Sequence, residues 1–95
     1  MTAPPTLSSA SRPSLARHVK LRFDKTRGIW VLLAPERVLL PDDTAIEVLQ
    51  SLDGKTSVAE VAAQLAADYD ADEKEIAGDI APMLQDLLDK GFLQL

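Results

Sequence analysis

The side chains that could act as acids, bases, nucleophiles or metal ligands are few in this sequence. His18 is the only histidine and there is no cysteine, which excludes disulfides, thiolate metal sites and thiol catalysis. Pairs and runs of carboxylates could instead serve as general acid–base pairs or as cation ligands. They comprise Asp42, Asp43, Asp68, Asp70, Asp72, Glu73 and Glu75. No Ser-His-Asp set, metal-ligand cluster or glycine-rich phosphate loop accompanies them.

Most of these carboxylates stand where helices are predicted to begin. Acceptor side chains and negative charge stabilise a helix start, because they satisfy unpaired amides and the helix dipole. The acidic stretch over residues 68–75 also lacks the spaced ligands and the central glycine of a calcium loop. We therefore interpret the carboxylates as helix caps and predict neither catalysis nor a metal or cofactor site.

Three short segments are predicted to be β-strands. Residues 18–24 alternate apolar and polar side chains, which is typical of a half-buried strand. Residues 29–33 form an apolar run after a turn at Gly28, and residues 37–40 follow a turn in which Pro35 presets the backbone. The short connections predict an antiparallel meander.

Three helices with apolar residues at helical spacing are predicted to follow. The first begins at Asp42, the second at a capping box over residues 57–60, and the third at Asp72. Pro82 lies inside the third helix and predicts a kink rather than a break, and Gly91 ends it. A three-stranded antiparallel sheet followed by three helices predicts an α+β fold of the winged helix-turn-helix type.

The composition changes near residue 17. Residues 1–16 are rich in proline, serine, threonine and alanine and bury little apolar area, so we predict a disordered tail or linker. Residues 17–95 are predicted to form one small domain. The longest apolar run, residues 29–34, is too short to span a membrane, and no secretory signal is recognisable, so a cytoplasmic location is the default expectation.

The charge is unevenly distributed. Residues 12–37 contain seven Lys or Arg and two acids, a net charge of +5, whereas residues 38–95 contain three lysines and thirteen acids. The third helix would be the recognition helix of a winged-helix DNA-binding regulator, but its residues 73–90 carry two lysines against five acids. Because phosphate contacts require positive charge, this pattern argues against nucleic-acid binding.

The third predicted strand has an unusual edge. In a meander it pairs on one side only, and Val38, Leu39 and Leu40 carry no charge that would block pairing on the other. An extended peptide could add there as a fourth strand, beside the third helix. The C-terminal segment or a second copy of the chain could equally cover the same edge.

Two blocks of sequence resemble a known family. The run RGIWVLLAPERVL at residues 27–39, and DG followed by SVAEV within residues 53–61, are similar to the PqqD proteins of pyrroloquinoline quinone biosynthesis. The spacing to DI at residues 79–80 and to LLDKGFL at residues 87–93 also matches. The resemblance covers about residues 17–93; Pro82 and Ser51 depart from the family pattern.

The resemblance implies a peptide chaperone rather than an enzyme. PqqD proteins are RiPP recognition elements, so the implied partners are the precursor peptide PqqA and PqqE, a radical S-adenosylmethionine enzyme that crosslinks a Glu and a Tyr of that peptide. In the family the peptide adds beside the third strand and against the third helix. Carried onto this chain, the implied contacts are Arg37, Val38, Leu39, Leu40, Glu75, Ile76, Asp79, Ile80 and Met83. Some family members are fused to PqqC, which fits a linker at residues 1–16. The alternatives are a winged-helix DNA-binding regulator and a purely structural fusion domain.

Overall fold

The computed structural model describes residues 6–95. The predicted meander and the three helices are confirmed, and two short strands are added at the ends. The elements are β1 (Ser14–Leu15), β2 (Lys20–Asp24), β3 (Ile29–Ala34), β4 (Arg37–Leu39), α1 (Asp43–Gln50), α2 (Val58–Tyr69), α3 (Glu73–Asp89) and β5 (Leu93–Gln94). Strands β2, β3 and β4 form one antiparallel sheet in that order, and β1 pairs with β5 in a second.

The register of the larger sheet places one face against the helices. Leu32 of β3 pairs with Leu21 of β2 and with Leu39 of β4. Because residues directly opposite one another share a face, these three leucines face the core, where Leu32 is almost fully buried. The next pair, Leu33 and Val38, therefore lies on the outer face.

The helices begin at the residues that the sequence indicates. The side chains of Asp42 and Asp72 accept hydrogen bonds from the amides of Ala45 and Lys74, and Ser57 and Glu60 form the predicted capping box. α3 continues through Pro82 as one helix. The apolar stripes of the three helices meet the sheet in a single core, with Val48, Val61 and Leu84 fully excluded from solvent.

Residues 1–16 are predicted to be a disordered tail or linker. In the structure residues 7–16, which we call the N-terminal strap, pack against the domain; residues 1–5 lie outside the described residues. Pro13 is fully buried. The carbonyls of Ser9 and Ser11 accept hydrogen bonds from the amides of Ala59 and Val58, at 3.0 and 2.9 Å. These amides belong to the first turn of α2, where a helix has no partners of its own. Tertiary hydrogen bonds therefore order a segment whose composition suggests disorder.

The turn between β3 and β4 carries local strain. Pro35 and Glu36 occupy its two central positions, and Glu36 has a φ of 61°. A proline followed by a residue with positive φ defines a type II turn, in which glycine is preferred at the second central position. A side chain other than glycine costs roughly 1 kcal/mol in this conformation.

We expect Glu36→Gly to raise the stability by about 0.5 kcal/mol, because the relieved strain exceeds the added entropy of the unfolded chain. Gly28 supplies the opposite control: its φ is +69° and a Cβ would meet nothing within 4 Å. Gly28→Ala should therefore lower stability through backbone strain alone. Urea unfolding of both variants measures these changes in stability. A Glu36→Gly protein less stable than the wild type would contradict the assignment of strain to Glu36.

Candidate functional site

Strand β4 leaves one edge of the three-stranded sheet unpaired. It pairs with β3, and no other described residue continues the ladder on its far side. The C-terminal segment, which could have covered this edge, instead forms β5 and pairs with β1. The exposed fractions of Val38 and Leu40 are 58% and 62%. An apolar strand edge of this kind is available for pairing with another chain.

The hydrogen-bonding pattern of the hairpin identifies which backbone groups are free. Ala34 and Arg37 flank a two-residue turn, so they form a hydrogen-bonded pair. Along an antiparallel ladder the pattern alternates, which leaves the amide and carbonyl of Val38 directed away from β3. The amide and carbonyl of Leu39, which is opposite Leu32, are directed towards β3. The alternation then places the amide and carbonyl of Leu40 outward again.

A groove runs beside this edge, between β4 and α3. It has a volume of about 270 Å³. Its walls are almost entirely apolar and include Leu32, Leu39, Leu40, Ala45, Met83 and Leu87. We call it the β4–α3 groove. The free strand edge therefore lies directly beside a cavity that can receive apolar side chains.

The residues implied on α3 do not all lie at this groove. Met83 lines it and is half-buried. Ile76, Asp79 and Ile80 line a separate cavity of about 190 Å³, in which Ile80 is only 2% exposed. Glu75 is exposed and lines neither cavity. The structure thus brings Leu39, Leu40 and Met83 together and sets the first turns of α3 apart from them.

A hydrogen bond beside the second cavity joins two helices. The hydroxyl of Tyr69 donates to Glu47 Oε1 over 2.5 Å. This bond to a carboxylate, which favours the protonated phenol, raises the pKa of Tyr69 above its ordinary value. The phenol of Tyr69 and the carboxylate of Glu47 are therefore paired with each other.

Six groove residues were absent from the sequence-based set: Leu32, Pro41, Asp42, Ala45, Leu49 and Leu87. Ala45 and Leu87 belong to the apolar stripes of their helices, so the sequence identifies them only as core residues. Pro41 ends the strand, because it has no amide to continue a ladder.

A larger cavity of about 530 Å³ lies between the N-terminal strap, α2 and α3. No strand edge borders it, so it lacks the backbone groups that make the β4–α3 groove distinctive.

The family assignment follows from the sequence that builds this site. Residues 30–93 match the family model described as coenzyme PQQ synthesis protein D (PqqD). The chain belongs to the PqqD family. The matched range contains β4, all three helices and every residue of the β4–α3 groove, so the resemblance noted in the sequence is confirmed.

Individual PqqD relatives agree along nearly the whole chain. The PqqA binding protein of Rhodopseudomonas palustris (strain BisB5) is 62% identical over 88 residues, which cover 93% of this chain and 86% of that protein. The PqqA binding protein of Xanthomonas euvesicatoria pv. vesicatoria (strain 85-10) is 46% identical over 85 residues, or 90% and 92% of the two chains.

Two solved PqqD structures share the fold. One is the solution NMR structure of the PqqD truncation of Methylobacterium extorquens PqqCD, described as a functional, stand-alone RiPP recognition element. It superposes with a TM-score of 0.83 at 44% identity and covers 97% of this chain and 98% of its own. The crystal structure of PqqD from Xanthomonas campestris gives a TM-score of 0.61 at 46% identity, with 95% and 100% coverage. The predicted α+β fold is thereby confirmed.

No three His, Asp or Glu side chains within residues 6–95 are grouped so that they could hold a metal ion. Among the helices described, none combines the length and the apolar character needed to cross a membrane.

Proposed function

We propose that this protein binds the ribosomal precursor peptide PqqA by strand addition at β4 and presents it to the radical S-adenosylmethionine enzyme PqqE. The observation that carries the proposal is the unpaired edge of β4 beside the apolar β4–α3 groove. The names of the similar proteins support the choice of PqqA as the peptide.

Strand addition and the groove supply different parts of the recognition. The outward amide and carbonyl of Val38 provide backbone hydrogen bonds that do not depend on the peptide sequence. A peptide residue opposite Leu39 points to the same face as Leu39, and therefore into the β4–α3 groove. Burying one large apolar side chain there contributes about 1.5–3 kcal/mol. The groove therefore selects an apolar residue, while the strand edge fixes its register.

The protein acts as an adaptor and lowers no chemical barrier itself. A flexible peptide loses conformational freedom when it pairs with β4, and this cost limits the affinity. In return, the part of the peptide that reacts is held near PqqE at a high effective concentration. The acidic outer surface of α3 opposes the alternative of DNA binding.

Titration distinguishes these alternatives. Fluorescently labelled PqqA and a labelled DNA duplex are added separately to the protein, and the anisotropy of each probe is recorded. The proposal predicts saturable peptide binding and no salt-sensitive binding of DNA. Crosslinking of PqqA by PqqE should then be weaker without this protein; equal crosslinking in both reactions would refute the role in presentation.

Met83→Asp should weaken peptide binding about tenfold or more, because it places a carboxylate in an apolar groove where the peptide would desolvate it. Met83 is only half-buried, so the protein should remain folded. Met83→Leu, which keeps the apolar volume, is the matched control and should bind within about twofold of the wild type. Anisotropy titrations measure both variants. Unchanged affinity in Met83→Asp would show that the peptide does not enter the groove.

A further inference from the structure

A second cleft lies near the β3–β4 turn. It has a volume of about 450 Å³ and is lined by Arg17, His18, Arg37 and Lys90, together with the ring of Phe92. No aspartate or glutamate lines it. In a chain with a net charge of −5, a cleft bordered by three permanent cations is an exception that requires an explanation.

The two arginines of this cleft have no carboxylate partner. Neither Arg17 nor Arg37 forms an ion pair within 4.0 Å among residues 6–95, whereas Lys90 is paired with Asp86 at 2.9 Å. The guanidinium of Arg37 instead lies over the ring of Phe92, 5.2 Å from its centroid. Stacking on a buried ring fixes the position of the guanidinium and leaves its edge N–H groups free to bind an anion.

The cleft is bordered by the start of β4, by the segment before β2 and by the residues that follow α3, and the groove lies further along β4. β4 runs from Arg37 to Leu39, and α3 runs the other way beside it, from Met83 to its end before Lys90. Leu39 faces the groove with Met83 and Leu87, while Arg37 faces the cleft with Lys90. A strand added to β4 would therefore pass Arg37 and Leu39 in succession.

We infer that Arg37 and Arg17 form a subsite for a carboxylate side chain of the same peptide, two residues from the apolar side chain that enters the β4–α3 groove. This inference rests on the proposed function. Arg37 and Leu39 lie on one face of β4, so the peptide residues opposite them also share that face. Residues two apart in a strand are separated by about 6.5 Å, which matches the spacing of adjacent same-face positions on β4.

A peptide carboxylate fits this subsite better than a nucleic acid does. Residues 38–95 carry a net charge of −10, which disfavours binding of an extended phosphate backbone. A single Glu or Asp opposite Arg37 instead needs only the positive charge of the cleft. The predicted recognition pattern is therefore an acidic residue and an apolar residue separated by one position, in either chain direction.

The inference is tested by replacing each Glu or Asp of labelled PqqA singly by Gln or Asn. Binding is measured with the wild-type protein and with Arg37→Gln, Arg17→Gln and Lys25→Gln. Lys25 lies in the β2–β3 turn at the opposite end of the sheet, so Lys25→Gln controls for the loss of one positive charge. Arg17→Gln is the second variant because Arg17 covers no buried ring. Thermal unfolding establishes that each variant is folded.

One of the peptides with a Gln or Asn substitution should bind the wild-type protein about fivefold more weakly than unsubstituted PqqA does. This is the size expected for the loss of an opposite-charge cross-strand pair. The same substitution should have no further effect with Arg37→Gln, and Lys25→Gln should behave as the wild type. If the parent peptide binds but no single amide substitution weakens it, or if both arginine variants bind as well as the wild type, the subsite is refuted while the proposed function stands. If the parent peptide does not bind the wild-type protein, both are refuted.

Discussion

Replacing Val38 by proline should remove most of the peptide affinity while the protein remains folded. The amide of Val38 is directed away from β3, so the sheet itself does not use it. Proline removes this donor, and proline is tolerated in an edge strand when its nitrogen faces outward. The lost hydrogen bond costs on the order of 1 kcal/mol, and more because the peptide carbonyl is left unpaired beside an apolar groove. We expect a loss of at least tenfold in affinity.

The neighbouring position supplies the matched control. Leu39 pairs with Leu32 and its amide is directed into the sheet, so Leu39→Pro breaks the β3–β4 ladder and should unfold the domain. Leu40→Pro should resemble Val38→Pro because the alternation returns the amide outward. We thus expect proline to abolish binding but not folding at Val38 and Leu40, and to abolish folding at Leu39. Anisotropy measures binding and circular dichroism measures folding. Equal binding by the wild type and Val38→Pro would exclude strand addition in this register.

Amide hydrogen exchange gives an independent measurement. On addition of PqqA, new protection should concentrate over residues 37–41 and spare α2. Protection confined to the helices, with unchanged exchange at the amides of Val38 and Leu40, would instead indicate that the peptide docks on a helix face.

The elements that position the site could be predicted from local sequence signals. Strict alternation in β2, the Pro35 turn and the caps at Asp42, Ser57 and Asp72 each act within a few residues, so the chain itself specifies them. The free edge of β4 follows from the order of the strands. The course of the N-terminal strap could not be predicted, because it depends on carbonyls meeting the amides of α2 nearly fifty residues away.

On the helical side, Ile76, Asp79 and Ile80 line a different cavity from Met83, and the reason is geometric. Periodicity identifies which face of α3 is apolar, but not where along the axis the groove opens. Ile76 and Met83 share a face and are separated by seven positions, or about 10 Å of helix. The first turn of α1 borders both cavities, with Ala45 at the groove and Thr44 at the cavity near Ile76. How α1 lies across α3 is a tertiary property that helical spacing does not encode.

The N-terminal strap completes the start of α2. A helix begins with amides that have no intrahelical partners, and here the first two, of Val58 and Ala59, donate to carbonyls of the strap. The third, of Glu60, donates to Ser57 Oγ. The carbonyl of Pro13 accepts a further bond from Gly54 at 3.1 Å. At its C-terminal end the strap forms β1, which pairs with β5 and so covers the end of the chain.

Deleting residues 1–16 should therefore destabilise the domain by roughly 4 kcal/mol, from several lost hydrogen bonds at about 1 kcal/mol each and from exposure of the apolar surface that Pro13 and Leu15 cover. This is a large part of the stability of a small domain, which is typically about 5–15 kcal/mol. The reference is a chain that begins at Thr6, since it keeps every contact described above. Urea unfolding compares the two chains, and hydrogen exchange should show that the amides of Val58 and Ala59 lose protection first. Because the strap does not border the β4–α3 groove, the folded fraction of the shorter chain should still bind PqqA. Equal unfolding midpoints would mean that the strap contributes no stability, and the composition-based expectation of a disordered tail would then be correct.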